Sequence, residues 1–197
     1  MEERDEGIVL RHSWQRVALL SAKKGRTEML LFRKKGPYKL SCGALISYTQ
    51  KRGSRGLAVI ENMVIEHMPL VWARQDIYFL HYLLELCYYF IPVASGGRHI
   101  FILMQQIYRN FKAFESTLCK KIVLCKLLSH LGVMPEQEPF QSCAHLLLNT
   151  PIDNIGITDL ELIVEDTLDE WLTWSVSSHP YGKWFKAMPS LLKSEAQ

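Results

Sequence analysis

The residues of this 197-residue chain whose type and spacing could do chemistry are lysines and arginines, gathered in three short stretches. Lys23, Lys24 and Arg26 surround Gly25. Arg33, Lys34 and Lys35 precede Gly36-Pro37, with Lys39 just beyond; Lys51, Arg52 and Arg55 flank Gly53-Ser54. Arg11 adds a base to the opening segment. Cations repeated at chain turns can track a phosphate backbone, and such binding weakens with salt because it releases counterions. Trp14, Tyr38 and Tyr48 are the aromatic rings available nearby for stacking on unpaired bases, the other half of single-strand recognition. Any one turn is solvated whatever its role. Three turns of one sign favour an anionic polymer as partner.

Other chemistry finds less support. No glycine-rich phosphate loop is present, since Gly25, Gly36 and Gly96-Gly97 lack the spacing and the following Lys-Ser/Thr, and there is no Gly-x-Ser-x-Gly elbow. Cysteines stand at 42, 87, 119, 125 and 143, never as Cys-x-x-Cys and mostly in apolar context, so packed reduced thiols are expected rather than a nucleophile. Cys125, His130, Cys143 and His145 have donor types that suit zinc. However, Cys125 and His130 share one predicted helix, and Cys143-x-His145 is tighter than the usual zinc spacing. No metal, no cofactor and no enzymatic activity are expected.

The elements that must position the basic turns read as short strands. Gly7–Trp14 alternates, with Ile8, Leu10, His12 and Trp14 on one face; Val17–Ala22, Thr27–Phe32, Lys39–Thr49 and a long segment near Leu57–His67 follow. Glycine at 25 supplies the positive φ of a tight hairpin. Five strands joined by short connections in under seventy residues are too few for a sandwich and fit a small OB-like barrel. Beyond Met68-Pro69 the period becomes helical. Asp76 is a candidate N-cap for a buried helix over 77–90, stopped before Pro92. A second helix starts near His99. A third carries the stripe Leu118, Ile122, Cys125, Leu128 and Leu131, with Lys120, Lys121 and Lys126 directed elsewhere and Gly132 and Pro135 at its end. A short helix is expected through Cys143–Leu148. The capping box Thr158–Glu161 opens an acidic helix to about Ser175, with Leu162, Leu168, Trp171 and Leu172 inward, and Lys183–Leu192 reads as a last short element. The fold expected is α+β: an OB-like barrel over 1–72 and a helical domain over 73–197 with an acidic C-terminal helix.

The net charge of +3 averages unlike parts. Residues 1–72 carry a net +6, residues 73–135 a net +4 and residues 136–197 a net −7, so nucleic acid is expected on the front of the chain and not on its tail. The opening Met-Glu-Glu-Arg-Asp-Glu-Gly has no secretion-signal pattern, which points to the cytoplasm. The greasiest stretch, 77–94, holds His81, Glu85 and Pro92 and is a core helix rather than a membrane span.

The order of features resembles the bacterial RecO recombination mediators. The likeness is carried by Gly7-Ile8-Val9-Leu10-Arg11, the basic glycine turn and the stretch Leu57–Glu66. It continues through Ala73-Arg74-Gln75-Asp76 into His81–Leu86, and ends with Leu127–Pro135. It spans most of residues 7–135. The resemblance implies a non-enzymatic protein that binds and anneals single-stranded DNA, with double-stranded DNA as a further partner. With a RecR-like protein it would help RecA onto strands coated by single-strand-binding protein, in the nucleoid. It also implies that the acidic tail of single-strand-binding protein docks on the helical domain, for which Arg109, Lys112, Lys120, Lys121 and Lys126 form the expected basic rim. Two departures stand out: the four-cysteine zinc module of many members is reduced here to Cys143, and the chain is shorter than is typical. The competing expectation is an interaction adaptor whose barrel no longer binds DNA and whose acidic helix recruits a basic partner.

Overall fold

A computed structural model describes residues 4–32, 40–53, 57–155 and 165–185, without the side chains of 71–73. The first five elements are strands: β1 (Asp5–Ser13), β2 (Arg16–Ser21), β3 (Gly25–Leu30), β4 (Leu45–Arg52) and β5 (Ala58–His67). They close a barrel in the order β1-β2-β3-β5-β4, with β3 and β5 parallel and the other neighbours antiparallel. This is the α+β, OB-like architecture expected from the sequence. The interior is filled by Val9, Val17, Leu19, Met29, Leu40, Ala44, Ile46, Tyr48 and Ile60.

Two details depart from simple alternation. The register of β1 against β2 shifts between Val9 and Arg11, so Ile8, Val9 and Leu10 are all buried, and Trp14 lies in the turn rather than on an inner face. The fourth strand begins at Leu45 instead of Lys39. Leu40 and Ala44 are buried, as the alternation requires, but Gly43 stands between them at φ +84°, and a β-carbon there would come within 3.0 Å of the Pro69 ring.

Six α-helices are described after the barrel: α1 (Leu70–Gln75), α2 (Ile77–Phe90), α3 (Arg98–Asn110), α4 (Thr117–His130), α5 (Phe140–Asn149) and α6 (Glu165–Ser178). Asp76 caps α2 as expected, its carboxylate accepting from the Phe79 N–H at 2.9 Å. Ser116 does the same for α4 through the Cys119 N–H at 3.1 Å. Gly132 at φ +70° ends α4, with the Val133 N–H returning to the Leu128 carbonyl at 2.9 Å. The expected capping box at Thr158–Glu161, Leu162 and most of the last element lie outside the described residues.

The chain divides into two compact units, Met1–Leu80 with Leu86–Ile102, and His81–Glu85 with Leu103–Gln197. The first unit thus extends well past the boundary at 72 expected from the change of period. The reason is at the start of β3. Gly25 stands at φ +69°, and a β-carbon there would fall 2.4 Å from the Gly96 carbonyl oxygen. Beside it Arg26 bridges Val93, and the Ala94 N–H donates to the Arg26 carbonyl at 2.8 Å. In the second unit α4 is buried from Lys121 through Ser129, with α5 and α6 packed against it. Among the described residues no helix is long and apolar enough to cross a membrane.

Candidate nucleic-acid interface

Strand pairing gathers three segments at one end of the barrel. Ser13 pairs with Arg16 across the β1–β2 turn, Arg16 with Leu30 at the end of β3, and Leu30 with Val59 near the start of β5. The Leu31 N–H donates to the Gln15 carbonyl at 2.8 Å, and Gly53 N–H to the Leu57 carbonyl at 3.0 Å, which carries the pairing past the strand ends. Between these segments lies a groove of about 650 Å³ walled by Trp14, Arg16, Phe32 and Leu57, among others. Trp14 is 84% exposed and Phe32 55% exposed. Large rings left in water gain nothing for the core. Trp14 also sits at φ +50°, a region that costs a bulky L-residue on the order of 1 kcal/mol. Neither burial nor backbone preference accounts for this ring. Lys51 and Arg52, at the end of β4, are exposed beside Gly53, and Arg11 and Arg16 are exposed on β1 and β2. Two exposed rings in one groove with the Arg16 guanidinium can stack on bases while holding a phosphate between them.

The structure does not unite all the expected cations here. Lys23 and Lys24 are exposed, but their turn joins the far ends of β2 and β3, about 20 Å from the groove at the usual rise per residue. That turn is built for its own stability. The Ser21 hydroxyl donates to the buried Asp5 carboxylate at 2.6 Å and accepts from the N–H groups of Lys23 and Lys24 at 3.2 and 3.0 Å, while Lys23 Nζ reaches the Arg4 carbonyl at 2.9 Å.

Arg26 is a correction: its side chain is only 15% exposed and is not offered to a ligand. Nη1 donates to the carbonyls of Tyr88 and Ile91 at the end of α2, Nη2 pairs with Glu28 at 3.0 Å, and the guanidinium lies 4.2 Å from the centre of the Tyr88 ring. Tyr48 is likewise core, not a stacking platform. Its hydroxyl donates to Asp5 at 3.2 Å, and burial, followed by the Asp5 carboxylate, pushes that hydroxyl's pKa up. Arg33, Lys34, Lys35, Tyr38, Lys39 and Arg55 lie outside the described residues.

In the second unit Arg109 and Lys112 are exposed and Lys120 is half-buried. Lys121 and Lys126, expected on the same rim, are turned inward. Lys121 is fully buried and its ammonium meets Glu165 and Asp169 of α6, each at 2.9 Å. Lys126 donates to the carbonyls of Leu147 and Thr150, the latter at 2.7 Å, closing the free C-terminal end of α5, and burial lowers its pKa. The acidic face of α6 is therefore partly spent inside the unit.

The thiols behave as packed hydrophobes. Burial pushes Cys87 up to about 12 and Cys143 up to about 11; burial, with Cys143 and Asp169, pushes Cys125 up as well. His145 is exposed, and among the described residues no three His, Cys, Asp or Glu side chains form a group that could hold a metal ion.

Three residues of this region were not among the expected site residues. Arg16 and Phe32 were readable, since each is a large polar or aromatic residue at a predicted strand end facing a turn. Tyr88 was not, because α2 is apolar nearly all round and its sequence does not say which face meets the barrel strands. No protein-family model matches the chain, and no curated protein is significantly similar to it.

Proposed function

We propose that this protein binds single-stranded DNA in the groove at the β1–β2 turn, with Trp14 and Phe32 stacking on bases and Arg16, Lys51 and Arg52 meeting phosphates. The observation that carries this reading is Trp14, an exposed ring held at positive φ on the wall of a 650 Å³ groove with an arginine two residues away. Together with the resemblance of residues 7–135 to RecO, it supports a non-enzymatic recombination mediator. Such a protein anneals single strands and, with a RecR-like partner, assists RecA on strands coated by single-strand-binding protein, in the cytoplasm at the nucleoid. For the tail of single-strand-binding protein, Arg109 and Lys112 are the exposed cations of the expected rim.

The test is a salt titration of a fluorescent single-stranded oligonucleotide against the whole chain, with a duplex of the same sequence alongside. The expected result is binding that weakens with salt, by a slope of about 0.7 per phosphate contacted, and quenching of tryptophan fluorescence. No measurable binding at low salt overturns the reading and leaves the interaction adaptor.

A further inference from the structure

A second cavity of about 240 Å³ adjoins the groove and shares Ser13 and Arg16 with it; its other walls include Arg11, Glu28 and Tyr88. All of these residues belong to the barrel unit. Its charge is unusual for so small a space. The carboxylate in its lining, Glu28, is already matched by Arg26 at 3.0 Å. Arg11 and Arg16 have no carboxylate at ion-pair distance among the described residues, so neither of the two guanidinium groups that line the cavity with Glu28 is ion-paired. Arg11 lies 5.4 Å from the centre of the Tyr88 ring and donates at 3.5 Å to the Tyr88 hydroxyl, whose own proton this bond does not use. Arg26 holds the same tyrosine in place through its backbone carbonyl and its ring.

We infer that this cavity is a phosphate seat, in which Arg11, Arg16 and the Tyr88 hydroxyl hold one backbone phosphodiester of the strand whose bases stack on Trp14 and Phe32. The inference rests on the groove being a single-strand site. Its ligand is an anion of one charge with several acceptor oxygens, which matches planar guanidinium donors and a hydroxyl better than it matches a base edge. Because Arg16 lines both cavities, the phosphate it holds is the one next to a stacked base. The seat therefore fixes the register of the strand in the groove, whereas exposed lysines alone would let it slide.

The experiment compares the whole wild-type chain with Arg11→Gln and Tyr88→Phe, both folded by circular dichroism, on two oligonucleotides of one sequence: an ordinary phosphodiester and a fully methylphosphonate, uncharged version. For the phosphodiester, Arg11→Gln is expected to lower affinity about 3- to 10-fold and to flatten the salt slope by about 0.7, one phosphate's share. Tyr88→Phe is expected to lower affinity by a smaller factor. For the uncharged strand, wild type and Arg11→Gln are expected to bind alike, with tryptophan quenching kept in both. An unchanged slope in Arg11→Gln, or an equal loss on both oligonucleotides, overturns the seat while leaving the groove standing. Failure of the wild type to bind either strand overturns the groove and the seat together.

Discussion

At position 14 the chain places its most exposed large hydrophobic side chain among the described residues on a backbone conformation suited to glycine. That combination yields an opposed pair of effects. Trp14→Gly relieves the positive φ and is expected to leave stability unchanged or raise it by about 0.5–1 kcal/mol in urea unfolding, while weakening single-strand binding by the ~1–3 kcal/mol of a lost base stack. Equal losses of stability and binding would instead make Trp14 a structural residue. Arg26 predicts the reverse. Its guanidinium satisfies the Tyr88 and Ile91 carbonyls and Glu28 at 15% exposure, so Arg26→Ala is expected to cost about 2–3 kcal/mol of unfolding free energy and to leave the salt slope of DNA binding unchanged. The contrast shows what a residue type conceals. Arginine on a basic turn reads as a free cation. Which carbonyls it can reach is decided by a helix end more than sixty residues further along the chain, and no local pattern carries that.

Among the elements, α2 was legible to the residue, because an N-cap carboxylate at 76 and a proline at 92 bracket it with local chemistry. The fourth strand was legible in its range but not in its start, since nothing local in 39–44 says that the chain turns at Gly43 before the ladder begins at Leu45. The lysines of α4 were misplaced for a different reason. The helix is surrounded, and a long aliphatic stem lets an ammonium cross a packed layer to reach acids on α6. Lys121 is fully buried, whereas Glu165 and Asp169 are 45% and 28% exposed, so the two ends of this pairing are unequal. Removing the charge with Lys121→Met leaves two carboxylates that are each partly exposed, and a smaller loss is expected. Glu165→Gln with Asp169→Asn takes two charges at 2.9 Å from a buried ammonium, and a loss of about 3 kcal/mol is expected in thermal or urea unfolding. A larger loss for Lys121→Met than for the double variant would reverse this reading of the pair.

For the molecule as a whole, buried acids dominate the alkaline response. Thiols of the unfolded chain release protons near pH 9, while Cys143 holds its proton to about 11 and Cys87 to about 12, with Cys125 also raised. The folded state then binds more protons than the unfolded one. Their contribution is complete below pH 9 and disappears as pH rises through the folded values, at up to about 1.4 kcal/mol per pH unit for each thiol. Tyr48 acts in the same sense at higher pH. Lys126 acts in the opposite sense, because its lowered value makes the unfolded chain the better proton binder below 10.5. Among the described groups whose shift is resolved in this range, three thiols stand against the Lys126 ammonium, and a urea midpoint that falls from pH 9 to 10.5 is expected. A flat profile would mean that these thiols are wetter than their burial implies.

At this scale the charge split of the sequence points to the same unit of the chain that carries the groove. It could not say that the basic turns point to opposite ends of the barrel, because strand direction is a property of the closed sheet and not of any turn.

The segment that follows α2 has a consequence for how the chain is made. The parallel partner of β3 reaches only Met29 and Leu30, and the earlier part of that strand meets Val93 and Ala94 instead. During synthesis the five strands are complete at His67, but the cover for Arg26 and Gly25 arrives about thirty residues later, roughly 2–6 s at ~5–20 residues per second. Through that interval the nascent barrel carries an open edge at Gly25–Glu28, the kind of surface on which strands of neighbouring chains pair. Until residue 97 emerges this edge is therefore open to misassembly, and a chain cut at residue 72 is expected to remain in that state.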